Sequence, residues 1–390
     1  MEFTFSEEQQ AVRQAAELVV TGMVTADRIK EIEGTDERID RALWTELAKA
    51  DLLGIAVPEA DGGGGFGLVE LAILLEAQGR VVAPVPLWAT LVLGALPVAE
   101  FGSASLRDWA LPGVASGDVL LTAALADVAD DLATGGPGRP AVVAERSPGT
   151  DGPVRLSGTA AAVPSAHVAD RVLVPAVSAD GSIVVAAVDP RTAGARLERA
   201  TTTNREVHPH LHLDGVEVAP SDLLAGGDPD RGAAVVAWML NRAWTGLCAI
   251  QVGVAEAAVA LTAEYLNGRE QFGKPLATFQ GTMLRAADAA IDTESMRVTL
   301  WQAAWRLDHG LEADRAVTVA SWFAKDAGQR VVHATQHLHG GMGADVDYPI
   351  HRYFLWGKQI ELQLGAPSAQ LSRLGRQVVA DLRAGEAVSA

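Results

Sequence analysis

The residues best suited to ligand chemistry lie in a polar turn at residues 269–280, with the sequence REQFGKPLATFQ. Arg269 offers a forked cation that matches phosphate, and Phe272, three residues later, offers a face for stacking. Gly273 and Pro275 favour a chain reversal between two long Ala- and Leu-rich tracts. The 269–280 turn therefore predicts a site for a ligand that carries both a phosphate and a ring.

A second cluster lies further along the chain, in His337-Leu-His-Gly-Gly-Met-Gly343. Gly340 and Gly341 have no side chains, so backbone at these positions can approach a ligand closely. We call this segment the 337–343 cluster.

Two groups of histidines could imitate a metal site: His208, His210 and His212, and then His333, His337 and His339. The first three alternate as they would on one face of a strand, and we interpret them as a partly solvated strand face. The other three follow helical spacing, and the family resemblance described below implies that they pack beside a cofactor and do not hold a metal. We predict no metal site.

Composition limits the classes of partner. The 390 residues include 31 basic and 49 acidic side chains, and the formal net charge of −18 opposes non-specific binding to nucleic acid or to an anionic membrane. The first residues, MEFTFSEE, do not resemble a signal peptide, and polar residues interrupt every apolar run of about 18 residues. Cys248 is the single cysteine, which excludes an internal disulfide framework. We expect a cytoplasmic protein without a membrane span.

The elements that must position these residues follow a helical, β, helical order. Ser6 and Gln9 form a capping-box pattern at the start of a helix. Apolar residues recur at helical spacing up to about residue 117, and strand-like runs rich in Val, separated by Gly, Pro and Asp, follow up to about residue 224. Helical periodicity then returns, with Gly357 and Gly365 as predicted breaks. We predict a mainly α protein with a β insert and these domains: 1–117, 118–224 and 225–390.

This order, with the two motifs, resembles the acyl-CoA dehydrogenase family over nearly the whole chain. The most specific matches are Arg269-Glu-Gln-Phe-Gly273 with Phe279-Gln280, and the 337–343 cluster followed by Tyr348-Pro349. The resemblance implies an N-terminal helical domain, a middle β-barrel domain and a C-terminal four-helix bundle, usually assembled as a tetramer.

The resemblance also implies FAD, bound partly across a subunit interface. Arg269 would contact the pyrophosphate of a neighbouring subunit's FAD, and Phe272 would pack on its adenine. The implied cofactor-binding residues are Arg269, Phe272, Gln280, His337, Gly340 and Gly341. The implied reaction is α,β-dehydrogenation of an acyl-CoA thioester, in which a carboxylate takes the α proton while the β hydride moves to the flavin, with electron-transfer flavoprotein as the acceptor.

The chain departs from the family pattern at the base. Leu364 stands where the catalytic Glu is usual, and Ala243 stands where other members hold the base. Glu361 is the nearest substitute if its segment is helical, although a surface Glu that pairs with Lys358 explains it equally well. The catalytic residue is therefore unassigned.

A second departure lies in the middle domain. Residues 122–131, TAALADVADD, replace a Thr-Glu-Pro…Gly-Ser-Asp run that contacts the flavin in many members. These losses resemble an actinobacterial branch of the family in which two related, unequal subunits form α2β2 assemblies on bulky steroid-derived CoA thioesters. His351-Arg-Tyr-Phe-Leu-Trp-Gly-Lys358 and Thr201-Thr-Thr203 are similar to that branch.

Three functions remain open from the sequence. The leading one is an FAD-containing dehydrogenase subunit that works with a different subunit. The second is a catalytically inactive scaffold or acyl-CoA-binding subunit. The third is a flavin monooxygenase or oxidase on the same fold. The tryptophans of this chain have two possible interpretations: they line a large acyl pocket, or they form the bundle core. They include Trp238, Trp244, Trp301 and Trp305.

Overall fold

The computed structural model describes residues 4–133, 135–136, 138–146 and 152–384. The first three residues of the N-terminal sequence discussed above and the residues after 384 lie outside this set. The predicted fold class is confirmed, because helical regions precede and follow a sheet in the middle of the chain. The proposed domain limits at residues 117 and 224 stay predictions.

The N-terminal region is helical. Its helices are α1 (Glu7–Met23), α2 (Ala26–Glu33), α3 (Arg41–Lys49), α4 (Leu68–Val81), α5 (Leu96–Phe101) and α6 (Ala104–Ser116). The capping box before α1 is confirmed, since the Gln9 amide donates to Ser6 Oγ at 3.1 Å and the Ser6 amide donates to Gln9 Oε1 at 3.0 Å. A buried π-helical segment, Trp88–Ala95, runs directly into α5.

The middle region contains the sheet and one short helix, α7 (Ala126–Ala133). The strands are β1 (Leu121–Ala123), β2 (Val142–Arg146), β3 (Val154–Ala160), β4 (Arg171–Ser178), β5 (Ile183–Val188), β6 (Ala195–Glu198) and β7 (His210–Val218). Among the described residues the order is β1-β4-β2-β3-β7-β6, with β5 antiparallel to β4. The sequence analysis missed β1, β6 and α7, because all three are short and β1 lies inside an alanine-rich run.

The C-terminal region contains the bundle. Its helices are α8 (Gly232–Gly268), α9 (Gln280–Asp308), α10 (Asp314–Leu338), α11 (Ile350–Leu362) and α12 (Pro367–Ala384), and a hairpin of β8 (Glu270–Gln271) and β9 (Lys274–Pro275) joins α8 to α9. By length and composition α8 could cross a membrane, but 67% of its most apolar window is buried within the protein, as in a core helix.

Two glycines bring the N-terminal region against the bundle. A Cβ added to Gly79 in α4 would lie 2.1 Å from the Ile250 carbonyl oxygen, and one added to Gly253 in α8 would lie 2.0 Å from the Glu76 carbonyl oxygen. The two helix backbones therefore approach more closely than any side chain would allow. One hydrophobic core runs through both helical regions, and a second lies against the sheet.

The prediction that Gly357 interrupts a helix was wrong. Gly357 lies within α11 and is buried against Val332 of α10. Gly365 does lie in a turn, at φ 94°, between α11 and α12. Gly357 allows α10 and α11 to pack closely. From the sequence alone, a glycine that allows close packing looks the same as a glycine that ends a helix.

Candidate functional site

The 269–280 turn is a hairpin at the exposed end of α8. Phe272 and Gly273 occupy its tip with φ values of 55° and 79°, the left-handed pair that a two-residue hairpin requires. A non-glycine residue with this backbone costs about 1–2 kcal/mol. Phe272 is nevertheless placed there with 92% of its surface exposed. An exposed aromatic ring on a strained backbone is typical of a residue that contacts a ligand or a second chain.

The polar residues of this turn are also exposed. Arg269 has no ion pair with any other residue that the structure describes, and Gln280 begins α9 with its side chain exposed. Phe279 lies edge-on to Phe272 at 6.2 Å between ring centroids, and Lys274 Nζ lies 4.4 Å from the Phe279 ring centroid. The turn thus presents a free guanidinium beside a supported aromatic ring.

The 337–343 cluster lies at the same end of the bundle. The His339 ring stacks on Tyr265 with centroids 4.5 Å apart and planes at 26°, and the Arg269 amide donates to the Tyr265 carbonyl oxygen at 2.9 Å. Gly340, at φ 58°, and Gly341 have open space where a Cβ would stand. The two predicted motifs are therefore brought together through Tyr265, which the sequence analysis did not select.

Two buried polar atoms in the 337–343 region lack partners within the described part of the chain: His339 Nε2 and Gln336 Oε1. His339 Nδ1 contacts the Thr335 carbonyl oxygen at 2.8 Å, which assigns the ring proton to Nδ1 and leaves Nε2 as an acceptor. Burial lowers the pKa of His339, which favours this neutral form. His337, in contrast, is exposed at the end of α10.

The expected adenosine half of FAD fits this set of residues. An unpaired guanidinium suits a pyrophosphate, an exposed ring suits adenine, and open glycine backbone allows close approach. All of these groups face away from the interior of their own chain, as a contribution to a neighbouring subunit's cofactor requires.

The two positions at which the resemblance places the catalytic base, Ala243 and Leu364, are both buried in the bundle. Trp88 Nε1 donates to the Ala243 carbonyl oxygen at 3.0 Å, and Trp244 Nε1 donates to the Leu364 carbonyl oxygen at 2.9 Å. Ala243 is fully buried and Leu364 is 8% exposed. The indoles therefore fill the space beside both positions, and neither position has a carboxylate.

Glu361 does not occupy the position expected of a substitute base. α11 ends at Leu362, and Leu364 follows in a turn with φ 54°, so the two residues are not one helical turn apart. Glu361 pairs with Lys358 one turn earlier in α11. The interpretation of Glu361 as an ion-pair partner fits this geometry, while its expected role as a base stays a prediction without a supporting contact.

Helix α7 packs beside the Gly365 turn and α12. Its Val128 and Ala129 are buried, and its last residue, Ala133, has its Cβ 4.0 Å from where a Cβ on Gly365 would stand. Arg376 of α12 donates to the Leu132 carbonyl oxygen at 2.8 Å. Residues 122–131 therefore form the end of β1 and most of α7.

A small cavity near the end of α11 measures about 30 Å³, a volume that holds about one water molecule. Its lining includes Trp88, Gln363 and Glu206, a carboxylate that the sequence analysis did not select. Glu206 Oε2 accepts from Asn204 Nδ2 at 2.9 Å and lies 3.3 Å from His208 Nε2.

The histidines at residues 208–212 do not share one solvated face. His208 precedes β7 and is 3% exposed. His212 lies on β7, and its ring nitrogens form hydrogen bonds with the side chains of Thr159 and Glu198. In the described residues, no group of three His, Cys, Asp or Glu side chains is arranged to hold a metal ion. Trp244 is buried in the core, and Trp238, Trp301 and Trp305 are half-buried.

Comparison with known proteins agrees with this architecture. Residues 6–118 match the family model for the acyl-CoA dehydrogenase N-terminal domain, and residues 230–379 match that for the C-terminal domain. Acyl-CoA dehydrogenase FadE27 of Mycobacterium tuberculosis is 38% identical, with 97% of this chain and 99% of the relative covered. Acyl-CoA dehydrogenase FadE28 of the same organism is 36% identical, with coverage of 96% and 98%.

Solved structures give the same result. A variant of the Tcur3481-Tcur3483 steroid ACAD is 46% identical with a TM-score of 0.88, and the ChsE4-ChsE5 complex from Mycobacterium tuberculosis is 36% identical with a TM-score of 0.89. In both cases 97% of this chain and 99% of the other chain are covered. The chain therefore belongs to the acyl-CoA dehydrogenase family, whose cofactor is FAD.

Proposed function

We propose that this chain is the cofactor-supporting subunit of a hetero-oligomeric, FAD-dependent acyl-CoA dehydrogenase. A related subunit that retains the catalytic glutamate would take the α proton of the substrate. The observation that carries this proposal is the contrast between two regions. Ala243 and Leu364 are buried apolar residues whose carbonyl oxygens accept from the indoles of Trp88 and Trp244, while Arg269 and Phe272 are exposed.

In this proposal the chain supplies binding and orientation. Arg269 neutralises pyrophosphate charge through a forked pair of donors, and Phe272 holds the adenine plane. Gln280, His337, Gly340 and Gly341 form the rest of the surface that contacts the cofactor. FAD, when bound, accepts the hydride that the acyl group loses. Tyr265 and His339 keep the two motifs at a fixed separation, because their stacked rings join α8 to the end of α10.

The comparisons support a hetero-oligomer with a bulky substrate. Two similar structures are named as a steroid ACAD and as a complex of two different chains. We extend this to an α2β2 tetramer that acts on a steroid-derived CoA thioester, transfers electrons to electron-transfer flavoprotein and works in the cytoplasm. A pure scaffold would not contact the cofactor, so it would not need an unpaired arginine beside an exposed ring. This arginine and ring therefore favour the cofactor-supporting subunit over the scaffold.

The test is FAD retention by the complex formed on co-expression with a family subunit that retains the glutamate. We expect Arg269→Ala to weaken FAD binding about 10- to 100-fold, since a charge-assisted hydrogen bond is worth about 1.5–3 kcal/mol. Flavin absorbance after gel filtration and titration with FAD measure this. Arg231→Ala, just before α8 at its opposite end, is the matched control and should change nothing.

Three results would contradict the proposal. Full FAD retention and turnover by the Arg269→Ala complex would indicate a scaffold. FAD and acyl-CoA turnover in the isolated chain would show that it needs no partner. Substrate-dependent oxygen consumption without an enoyl-CoA product would indicate the monooxygenase or oxidase alternative.

A further inference from the structure

The solvent-facing side of the sheet carries three side chains in a hydrogen-bonded row: Glu198 on β6, His212 on β7 and Thr159 on β3. His212 Nε2 lies 3.0 Å from Glu198 Oε2, and its Nδ1 lies 2.9 Å from Thr159 Oγ1. A carboxylate only accepts hydrogen bonds, so Nε2 donates to Glu198 and Nδ1 of the neutral ring accepts from the Thr159 hydroxyl. We call these three residues the sheet triad.

A β-bulge sets the partners within this row. Two residues of β7 stand opposite Ser157 alone, and one of them, Gly215, has the left-handed φ of 63° that a bulge favours. The bulge moves the register by one residue, so Thr159 stands directly opposite His212. Without it Thr159 would stand opposite Leu213, which packs in the second core. The sheet triad therefore depends on a specific irregularity of the sheet.

The order of carboxylate, imidazole and hydroxyl is the arrangement that activates a hydroxyl as a nucleophile. The carboxylate orients the ring, and the ring takes the proton as the hydroxyl oxygen attacks. The hydrogen bond from His212 lowers the pKa of Glu198, so this carboxylate is ionised at neutral pH. Arg196, directly opposite His212 on β6, places Nη1 3.6 Å from Glu198 Oε2 and adds a positive charge beside the row. A nucleophile, a base and an orienting group are therefore already in contact.

The sheet triad is open to reagents in solution. Thr159 is exposed, and the side chains of His212 and Glu198 are 30% and 56% exposed. An acyl donor therefore reaches the hydroxyl without any change in the fold. Water reaches it too, and an open strand face does not hold a developing oxyanion as an enclosed site does. The geometry thus suits a single acyl transfer better than rapid turnover.

We propose that Thr159 is a site of acylation by thioesters, with His212 as the general base and Glu198 as the group that orients it. The Thr159 oxygen forms a bond to the acyl carbon, the carbon–sulfur bond breaks, and the hydroxyl proton passes through His212 Nδ1 to the departing thiolate. The products are a threonine ester and a free thiol, and no oxidant or reductant is consumed. The reaction needs neither FAD nor a second subunit, so it goes beyond the proposed function.

The test incubates the full-length chain with phenyl thioacetate, a small reactive thioester, and locates the acetyl groups by peptide mass spectrometry. We expect an ester at Thr159 that hydroxylamine removes. His212→Gln should slow its formation about 100-fold, the lower end of the range for general base catalysis, and Glu198→Gln should slow it less. Thr159→Val should abolish the ester, and Thr159→Ser should keep it. Cys248, the single cysteine, is buried and does not compete for the reagent.

Thr21→Val is the matched control. Thr21 is exposed on α1, and its hydroxyl donates to the Glu17 carbonyl oxygen at 2.6 Å in place of an imidazole. This substitution should leave the labelling of Thr159 unchanged. Circular dichroism checks that each variant is folded.

Three results would overturn the proposal. Acetyl groups on lysines alone would show that Thr159 is not activated, and so would equal labelling of Thr159 and Thr21. A Thr159 ester that forms at the same rate in His212→Gln would show that the imidazole does not act as a base. None of these results alters the FAD proposal, because Arg269 is not part of the sheet triad.

Discussion

At the scale of single residues, Lys325 differs most from what its residue type predicts. It lies in α10 with 1% of its surface exposed, and its Nζ donates to the carbonyl oxygens of Ile360, at 3.1 Å, and of Gln363. Both carbonyls belong to the end of α11, immediately before Leu364. Burial lowers the pKa of Lys325 to about 7 from an ordinary value of 10.5. Lys325 therefore holds the end of α11 and the start of the turn that contains Leu364.

This pKa predicts a specific dependence of stability on pH. Between about pH 7 and 10.5 the unfolded chain binds a proton at Lys325 that the folded chain does not. The free energy of unfolding should therefore rise with pH over this range, by at most about 1.4 kcal/mol per pH unit. In Lys325→Met this contribution is lost. When urea unfolding is measured at pH 7, 8 and 9, the free energy of unfolding of the unsubstituted protein should therefore rise with pH relative to that of the variant. Parallel curves would contradict the assignment, and Lys274→Met in the exposed hairpin is the control.

Residue types alone were enough to select some of the candidate site residues, whose roles stay predictions. Arg269 and Phe272 could be selected because a cation and a ring at this spacing are rare in a turn. Lys325 and Tyr265 could not, because a lysine in an amphipathic helix normally faces solvent and a lone tyrosine carries no spacing signal. Their roles depend on which helix packs against them, which the sequence does not state.

At the scale of elements, α10 and α11 show how a glycine can stabilise a helix pair. A Cβ on Gly357 would lie 2.6 Å from Val332 Cγ1 and 2.9 Å from Cγ2. β-Branched Val332 cannot easily move aside, because its χ1 angle is restricted within a helix. The close approach of these two helices therefore depends on the missing side chain.

We expect Gly357→Ala to destabilise the protein by about 1–3 kcal/mol through overpacking, although alanine is the better helix former. Gly375→Ala in α12 is the matched comparison, since no atom lies within 4 Å of its added Cβ. It should stabilise the protein by up to about 1 kcal/mol. Thermal unfolding of both variants measures the difference, and equal shifts in the same direction would contradict this account.

Element positions were predictable to the extent that the elements are long. α8, α9 and α10 carry many turns of periodic apolar residues, and the return of helical periodicity after about residue 224 predicted helices in this region. α7 was missed, although Val128, Ala129 and Leu132 follow helical spacing. Two turns give too few repeats to separate a short helix from a loop.

At the scale of the whole molecule, Glu33 joins all three regions of the chain. It ends α2, and its carboxylate accepts from Arg352 of α11 at 3.1 and 3.2 Å and from Arg205, near the sheet, at 3.0 Å. The Arg352 side chain is 5% exposed and that of Glu33 is 13% exposed. Arg352 depends on this carboxylate because its side chain is almost completely removed from water, whereas the Arg205 side chain is 43% exposed.

Glu33→Gln should therefore lower the free energy of unfolding by about 3 kcal/mol, since it leaves a buried arginine without its counter-charge. Glu31 pairs with Arg28, and 66% of the Glu31 side chain is exposed to solvent. Glu31→Gln should therefore lower the free energy of unfolding by less than about 1 kcal/mol. Urea unfolding of both variants gives the comparison. A loss of similar size in the two would show that the three-way contact contributes no more than a surface pair.

The packing around Leu364 has a consequence for the proposed division of labour. Leu364 is 8% exposed, and its carbonyl oxygen accepts from Trp244 Nε1, so Leu364→Glu would place a carboxylate in a buried position and should destabilise the fold. Under the proposed function, one substitution at this position should therefore not make the chain independent of a glutamate-bearing subunit.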